Sequence, residues 1–213
     1  MHLSRFRRLP LLGILRGIEA RHVTPLADAI ATAGLEAIEI TMNTPDAAAL
    51  IHRMASASNE RFMVGAGTVL SLHDLDAALG AGATFIVMPV LVPDVVAACV
   101  AKGIAVFPGA LTPQEIFGAW RAGATMVKVF PASCFGAAYF KEVKGPFRDI
   151  ELLACGGVTA ENMSDYFGSG ASAVAFGGSV FRSDRLAAGE FGLIQSEIRT
   201  LVEAYRRAQA PVA

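Results

Sequence analysis

Two charged residues stand alone inside apolar runs: Lys128 in Met126-Val127-Lys128-Val129-Phe130, and Glu39 in Ala37-Ile38-Glu39-Ile40. Burial penalises an ammonium ion, and a neutral amine in a cavity can attack a ketone to form a Schiff base. A carboxyl group facing the same cavity can move protons as a general acid and base. Each residue also has a plainer reading, Lys128 as a paired or snorkelling lysine and Glu39 as half of a buried ion pair.

Further candidates lie nearby in the pattern. Arg16, in Leu15-Arg16-Gly17, offers a fork of donors to a carboxylate, or a salt bridge at a rim. Thr68, in Gly65-Ala66-Gly67-Thr68-Val69, can hydrogen-bond a substrate or cap a helix starting near Ser71. Asn43 can meet a substrate hydroxyl, and Asn43-Thr44-Pro45-Asp46 also reads as a helix start. Phe130 reads as one wall of the cavity or as ordinary core. The glycine pairs in Cys155-Gly156-Gly157-Val158-Thr159 and Phe176-Gly177-Gly178-Ser179 let the backbone approach an anion, and Ser179 adds a hydroxyl. His2, His22, His52 and His73 show no ligand spacing, so no metal is expected.

The elements that position these residues follow from a recurring unit: a helical segment, a glycine, then a short apolar run. The glycines are Gly34, Gly82, Gly103, Gly123 and Gly170, spaced 48, 21, 20 and 47 residues apart, as if two units lack the signal. A glycine there suits the left-handed residue that ends a helix before a strand. The runs are short and rich in Val, Ile and Phe, so they read as strands buried on both faces. Eight are expected: Leu11–Leu15, Leu35–Thr41, Phe62–Ala66, Thr84–Met88, Ile104–Phe107, Thr125–Val129, Glu151–Cys155 and Ser172–Phe176. Helices are expected between them, including Pro93–Ala101 and Pro113–Arg121, the latter opened by Thr112-Pro113-Gln114-Glu115.

Eight such units in 213 residues predict an α/β fold, a single (β/α)8 TIM barrel spanning 1–213. An open doubly wound sheet needs fewer strands and has a Gly-x-Gly-x-x-Gly turn, which is missing. In a barrel the second and sixth strands stand opposite each other with the same parity. Glu39 and Lys128 are therefore expected to face one cavity, with the two glycine pairs after strands seven and eight, where barrels hold phosphate.

Composition narrows the function. Eighteen Lys plus Arg against nineteen Asp plus Glu leave a net charge of −1, which argues against nucleic-acid binding. Apolar residues reach 54% and charged residues 17%, which suits a large core and a subunit interface and excludes disorder. The longest uncharged stretch, Ala77 to Pro93, is interrupted by glycines and prolines, so no membrane span is expected. The start, with Leu11–Leu15 as its apolar run, lacks the length and cleavage site of a signal peptide. Three scattered cysteines, Cys99, Cys134 and Cys155, fit a reducing cytoplasm.

The set Ile14-Leu15-Arg16-Gly17, Glu39-Ile40-Thr41-Met42-Asn43-Thr44-Pro45, Gly65-Ala66-Gly67-Thr68-Val69, Lys128-Val129-Phe130-Pro131 and Gly156-Gly157-Val158-Thr159 resembles the 2-keto-3-deoxy-6-phosphogluconate/phosphogalactonate aldolases. The likeness runs in order from about Leu11 to Tyr205. It implies a class I aldolase on a (β/α)8 barrel, usually trimeric, without metal or cofactor, acting on a phosphorylated keto-deoxy sugar acid. By motif, Lys128 would form the Schiff base and Glu39 would be the acid/base. Arg16, Thr68 and Pro89 would surround the pyruvate end, while Gly156, Gly157, Gly178 and Ser179 would hold phosphate. The phosphogluconate enzymes commonly have Arg at the position of Asn43 and Glu at that of Ser133, so the resemblance leans to the galacto epimer. It departs at Cys155, where Thr is frequent. The gluco epimer, an epimerase-type phosphate barrel and a non-catalytic sugar-phosphate binding module are the alternatives.

Overall fold

A computed structural model describes residues 1–209. The strands are β1 (Leu11–Leu15), β2 (Ala37–Thr41), β3 (Met63–Gly67), β4 (Phe85–Val87), β5 (Ala105–Phe107), β6 (Gly109–Ala110), β7 (Val127–Val129), β8 (Leu152–Cys155) and β9 (Ala173–Phe176). All pair in parallel, in the order β5-β4-β3-β2-β1-β9-β8-β7-β6. Eight strands were expected, and the ninth arises because Pro108 divides the fifth. Proline has no N–H to donate, so pairing to β4 ends at Phe107 and pairing to β7 begins at Gly109. Lys128 N–H donates to Pro108 O at 2.9 Å and Thr125 N–H to Val106 O at 2.8 Å, which closes the sheet into a (β/α)8 barrel.

Most of the outer helices follow the sequence pattern. They are α2 (Val23–Ala33), α3 (Ala47–Ser58), α4 (Leu72–Gly80), α5 (Pro93–Ala101), α6 (Pro113–Arg121), α7 (Gly136–Lys144) and α8 (Met163–Gly168). All five predicted glycines lie just past helix ends with φ between 65° and 102°. The expected capping box forms at α6, where Thr112 Oγ1 accepts from Glu115 N–H and Glu115 Oε2 accepts from Thr112 N–H. Two helices follow the last strand, α9 (Ser183–Ala188) and α10 (Phe191–Gln209). Among the described residues no helix is long and apolar enough to cross a membrane.

A helix also escaped the pattern: α1 (Leu3–Arg8), too short and too basic to show a period. Its Phe6 is fully buried in the barrel interior against Phe107, ring centroids 6.0 Å apart. Charge holds it across the amino-terminal ends of the strands. Arg5 pairs with Glu36 at 2.6 Å, Arg7 with Glu151 at 2.7 Å, and the Met1 amine donates to Thr84 O at 2.8 Å. The apolar core is therefore two bodies. One fills the barrel, with Leu12, Ala37, Phe85, Phe107, Met126 and Leu153. The other lies between the barrel wall and the helices.

Candidate active site

Side chains alternate across a strand. Ala37 and Met126 point into the barrel, so Glu39 and Lys128, two residues further along, do so as well, near the carboxyl ends. Both are buried, at 1% and 6% exposure. The interior has room for them because β3 presents Gly65 and Gly67 on the same face. A Cβ on Gly65 would overlap the Phe85 ring, and one on Gly67 would overlap Glu39 Oε1. These two glycines serve close packing.

Among the described residues, Glu39 Oε2 is buried with no hydrogen-bond partner. Burial holds the Glu39 carboxyl above the ordinary carboxylate range, and the charges of Lys128 and Arg16 offset part of that rise. Neither Lys128 nor Glu39 takes part in an ion pair among the described residues, so the buried salt-bridge reading is not what the structure displays. Lys128 Nζ lies 5.2 Å from the Phe130 ring centroid, within cation–π range. Cys155 is buried beside this group. Desolvation pushes its thiol up, while Lys128 draws it down.

The rim places the remaining candidates unevenly. Arg16 is exposed, pairs with no carboxylate among the described residues, and lines a cleft with Gly17, Gly177, Gly178 and Arg182. Thr68 is half-buried with φ 57°, a left-handed conformation uncommon for a β-branched residue. It caps nothing: α4 is capped by Ser71, whose Oγ accepts from Asp74 N–H at 3.1 Å. Pro89 and Phe130 line one cleft together with Gly109 and Glu115. Phe130 is 40% exposed, so it is a wall at the rim and the ordinary-core reading is corrected. Asn43 is exposed, and the helix start read there is also corrected, since α3 begins at Ala47 behind a left-handed Asp46. Gly156 and Gly157 follow β8 with φ 100° and 76°, close to Pro131 and Ser133. Ser179 is not brought to the Arg16–Gly178 cleft. It lines a separate one with Thr159, Glu161 and Glu197.

Sequence reasoning gave no role to Thr41 or Thr44, and marked Cys155 only as a departure from the family pattern. Thr44 Oγ1 accepts from Gly17 N–H at 3.1 Å and lies 3.1 Å from Thr41 Oγ1. Its helix-start context hid it, although a threonine two places after Glu39 shares that residue's face of the strand. Cys155 counts as apolar in any periodicity, and only the alternation of β8 would have turned it inward.

The whole chain can be set beside known proteins. Residues 3–196 match the family model described as KDPG and KHG aldolase. The 2-dehydro-3-deoxy-6-phosphogalactonate aldolase of Escherichia coli (strain K12) is 35% identical over 94% of this chain and 97% of its own. The 2-dehydro-3-deoxy-phosphogluconate aldolase of Pseudomonas aeruginosa (strain PAO1) is 37% identical over 75% of this chain and 71% of its own. A solved structure described as native KDPGal superposes with a TM-score of 0.88 at 34% identity, covering 94% and 96% of the two chains. With an interior lysine and glutamate on the matching barrel, the chain belongs to the KDPG and KHG aldolase family.

Proposed function

We propose that the chain is a class I aldolase that cleaves 2-dehydro-3-deoxy-6-phosphogalactonate to pyruvate and D-glyceraldehyde 3-phosphate. The observation that carries this reading is the pair of lone interior charges. Lys128 and Glu39 face one apolar barrel interior, and neither is neutralised by an ion pair among the described residues.

In its amine form Lys128 Nζ attacks C2 of the substrate, and the carbonyl oxygen takes up a proton to give a carbinolamine. Loss of that oxygen as water leaves the iminium. A proton leaves the C4 hydroxyl, the C3–C4 bond breaks, and its electron pair flows into the iminium, giving an enamine and the free aldehyde. Protonation at C3 and addition of water then release pyruvate and restore the amine. Glu39 is suited to pass these protons because burial makes its carboxyl hold one more readily than an exposed carboxylate does. Arg16 supplies a free guanidinium for the C1 carboxylate. Phosphate falls to the Gly156-Gly157 and Gly177-Gly178 turns, and the separate cleft of Ser179 weakens its assignment there.

The galacto epimer is favoured by Asn43 and by the nearly full-length likeness to the Escherichia coli galactonate enzyme. The gluco epimer is the second reading, supported by the similar identity to the Pseudomonas aeruginosa enzyme. A homotrimer belongs to the same proposal, and exposed Val90, Phe117 and Phe135 are apolar surface that a subunit interface would cover.

Borohydride reduction in the presence of pyruvate should leave a single reduced-pyruvate adduct on Lys128 by peptide mass spectrometry. Lys128→Ala should abolish both the adduct and turnover. A folded Lys128→Ala variant with full turnover would sink the assignment, and initial rates on the two epimers decide between them.

A further inference from the structure

We infer that Thr44 is a positioning residue, whose hydroxyl, braced by Thr41, fixes the Gly17 N–H and so aims the Arg16 guanidinium at the substrate carboxylate. The inference rests on the assignment of Lys128 and Arg16 proposed above.

The ladder between β1 and β2 ends at the pair Leu15–Ile40. Beyond it the chain turns through Gly17, which adopts φ 73°, and among the described residues no backbone carbonyl takes the Gly17 N–H. A side chain does so instead, since Thr44 Oγ1 accepts that bond at 3.1 Å. A hydroxyl has one proton and two lone pairs. With one lone pair engaged by Gly17, Thr44 can still share a proton with Thr41 Oγ1, 3.1 Å away. Both threonines are buried, at 4% and 1% exposure, so the pair has little water to exchange with.

Thr44 is not a helix cap. The cap position of α3 is Asp46, and the hydroxyl of Thr44 turns away to the loop after β1. Thr41 lies two residues after Glu39 on β2 and shares its face. One buried strand therefore supplies the interior carboxyl and also braces the backbone next to Arg16. The guanidinium has no ion pair among the described residues, so the Arg16–Gly17 backbone sets the root from which the side chain reaches.

The test is borohydride trapping at Lys128 as a function of pyruvate concentration. Thr44→Val should raise the half-saturating pyruvate about tenfold, the scale of a buried donor left unmade, while the adduct still reaches its full extent at saturation. Thr44→Ser keeps the hydroxyl and should stay within about twofold of wild type. If Thr44→Val does not fold, Thr44→Ala is read in the same way. A hydroxyl-free variant that saturates at the wild-type concentration overturns the inference, as does a Thr44→Ser shift as large as that of Thr44→Val. No adduct on wild-type Lys128 overturns the Schiff-base reading and this inference together, so the two failures look different.

Discussion

Burial holds the Glu39 carboxyl above its ordinary value of 4.5, and Lys128 and Arg16 draw it only part of the way back. In the unfolded chain the carboxyl ionises freely above that value, whereas in the barrel ionisation is resisted. The group therefore lowers stability progressively as pH rises above 4.5, until it ionises in the folded state as well. Glu39→Gln should then melt higher than wild type at pH near 8, by a margin that shrinks toward pH near 5. Turnover should fall by about 10²- to 10⁴-fold, the usual worth of an acid–base group. Thermal melts at the two pH values check the first part, and a variant less stable at both would mean that attraction to Lys128 outweighs desolvation. At this scale the sequence was informative wherever a charge interrupted an apolar run, as at Glu39 and Lys128. It was silent at the Thr41–Thr44 pair, where ordinary-looking residues acquire their neighbours only through the closure of the barrel.

Within β3 and α4, two glycines make opposite predictions. Gly67 faces inward where a Cβ would overlap the Glu39 carboxyl, so Gly67→Ala should displace that group. Under the acid–base role proposed for Glu39, activity should fall by about 10²-fold, the scale of a misplacement of about an ångström. Gly80 ends α4 with open space beside it, so Gly80→Ala should gain roughly 0.5–1 kcal/mol in denaturant unfolding and leave turnover unchanged. Equal loss in both variants would contradict the packing argument. The same elements show why most of the fold could be read. Left-handed glycines, Thr112-Pro113 and the short Val/Ile runs are local signals that the chain carries wherever it folds, and α5 and α6 match their expected limits residue for residue. Two features depended on distant partners. Pro108 divides a strand only because β4 and β7 claim different sides of it, and α1 is a helix only because the barrel floor receives Phe6.

For the molecule as a whole, α1 closes the end of the barrel opposite the proposed chemistry. Phe6 lies at the amino-terminal end of the barrel, whereas Glu39 and Lys128 lie toward the carboxyl ends, with Phe107 and Phe85 stacked edge to face between. Phe6→Ala should cost about 3–5 kcal/mol in unfolding free energy, with turnover per folded molecule unchanged. Chemical denaturation and an active-site titration read the two quantities separately, and a fall in turnover per folded molecule would tie the floor to the site. The same floor has a kinetic meaning. A vessel stopped at one end has a single doorway, so whatever reaches the Lys128 amine enters past Arg16 and Phe130 and leaves by the same threshold. Under the Schiff-base role proposed for Lys128, the fragment tethered to the lysine is the inner of the two. The outer fragment must go first, and the order of departure is written into the architecture before any barrier of the chemistry is considered.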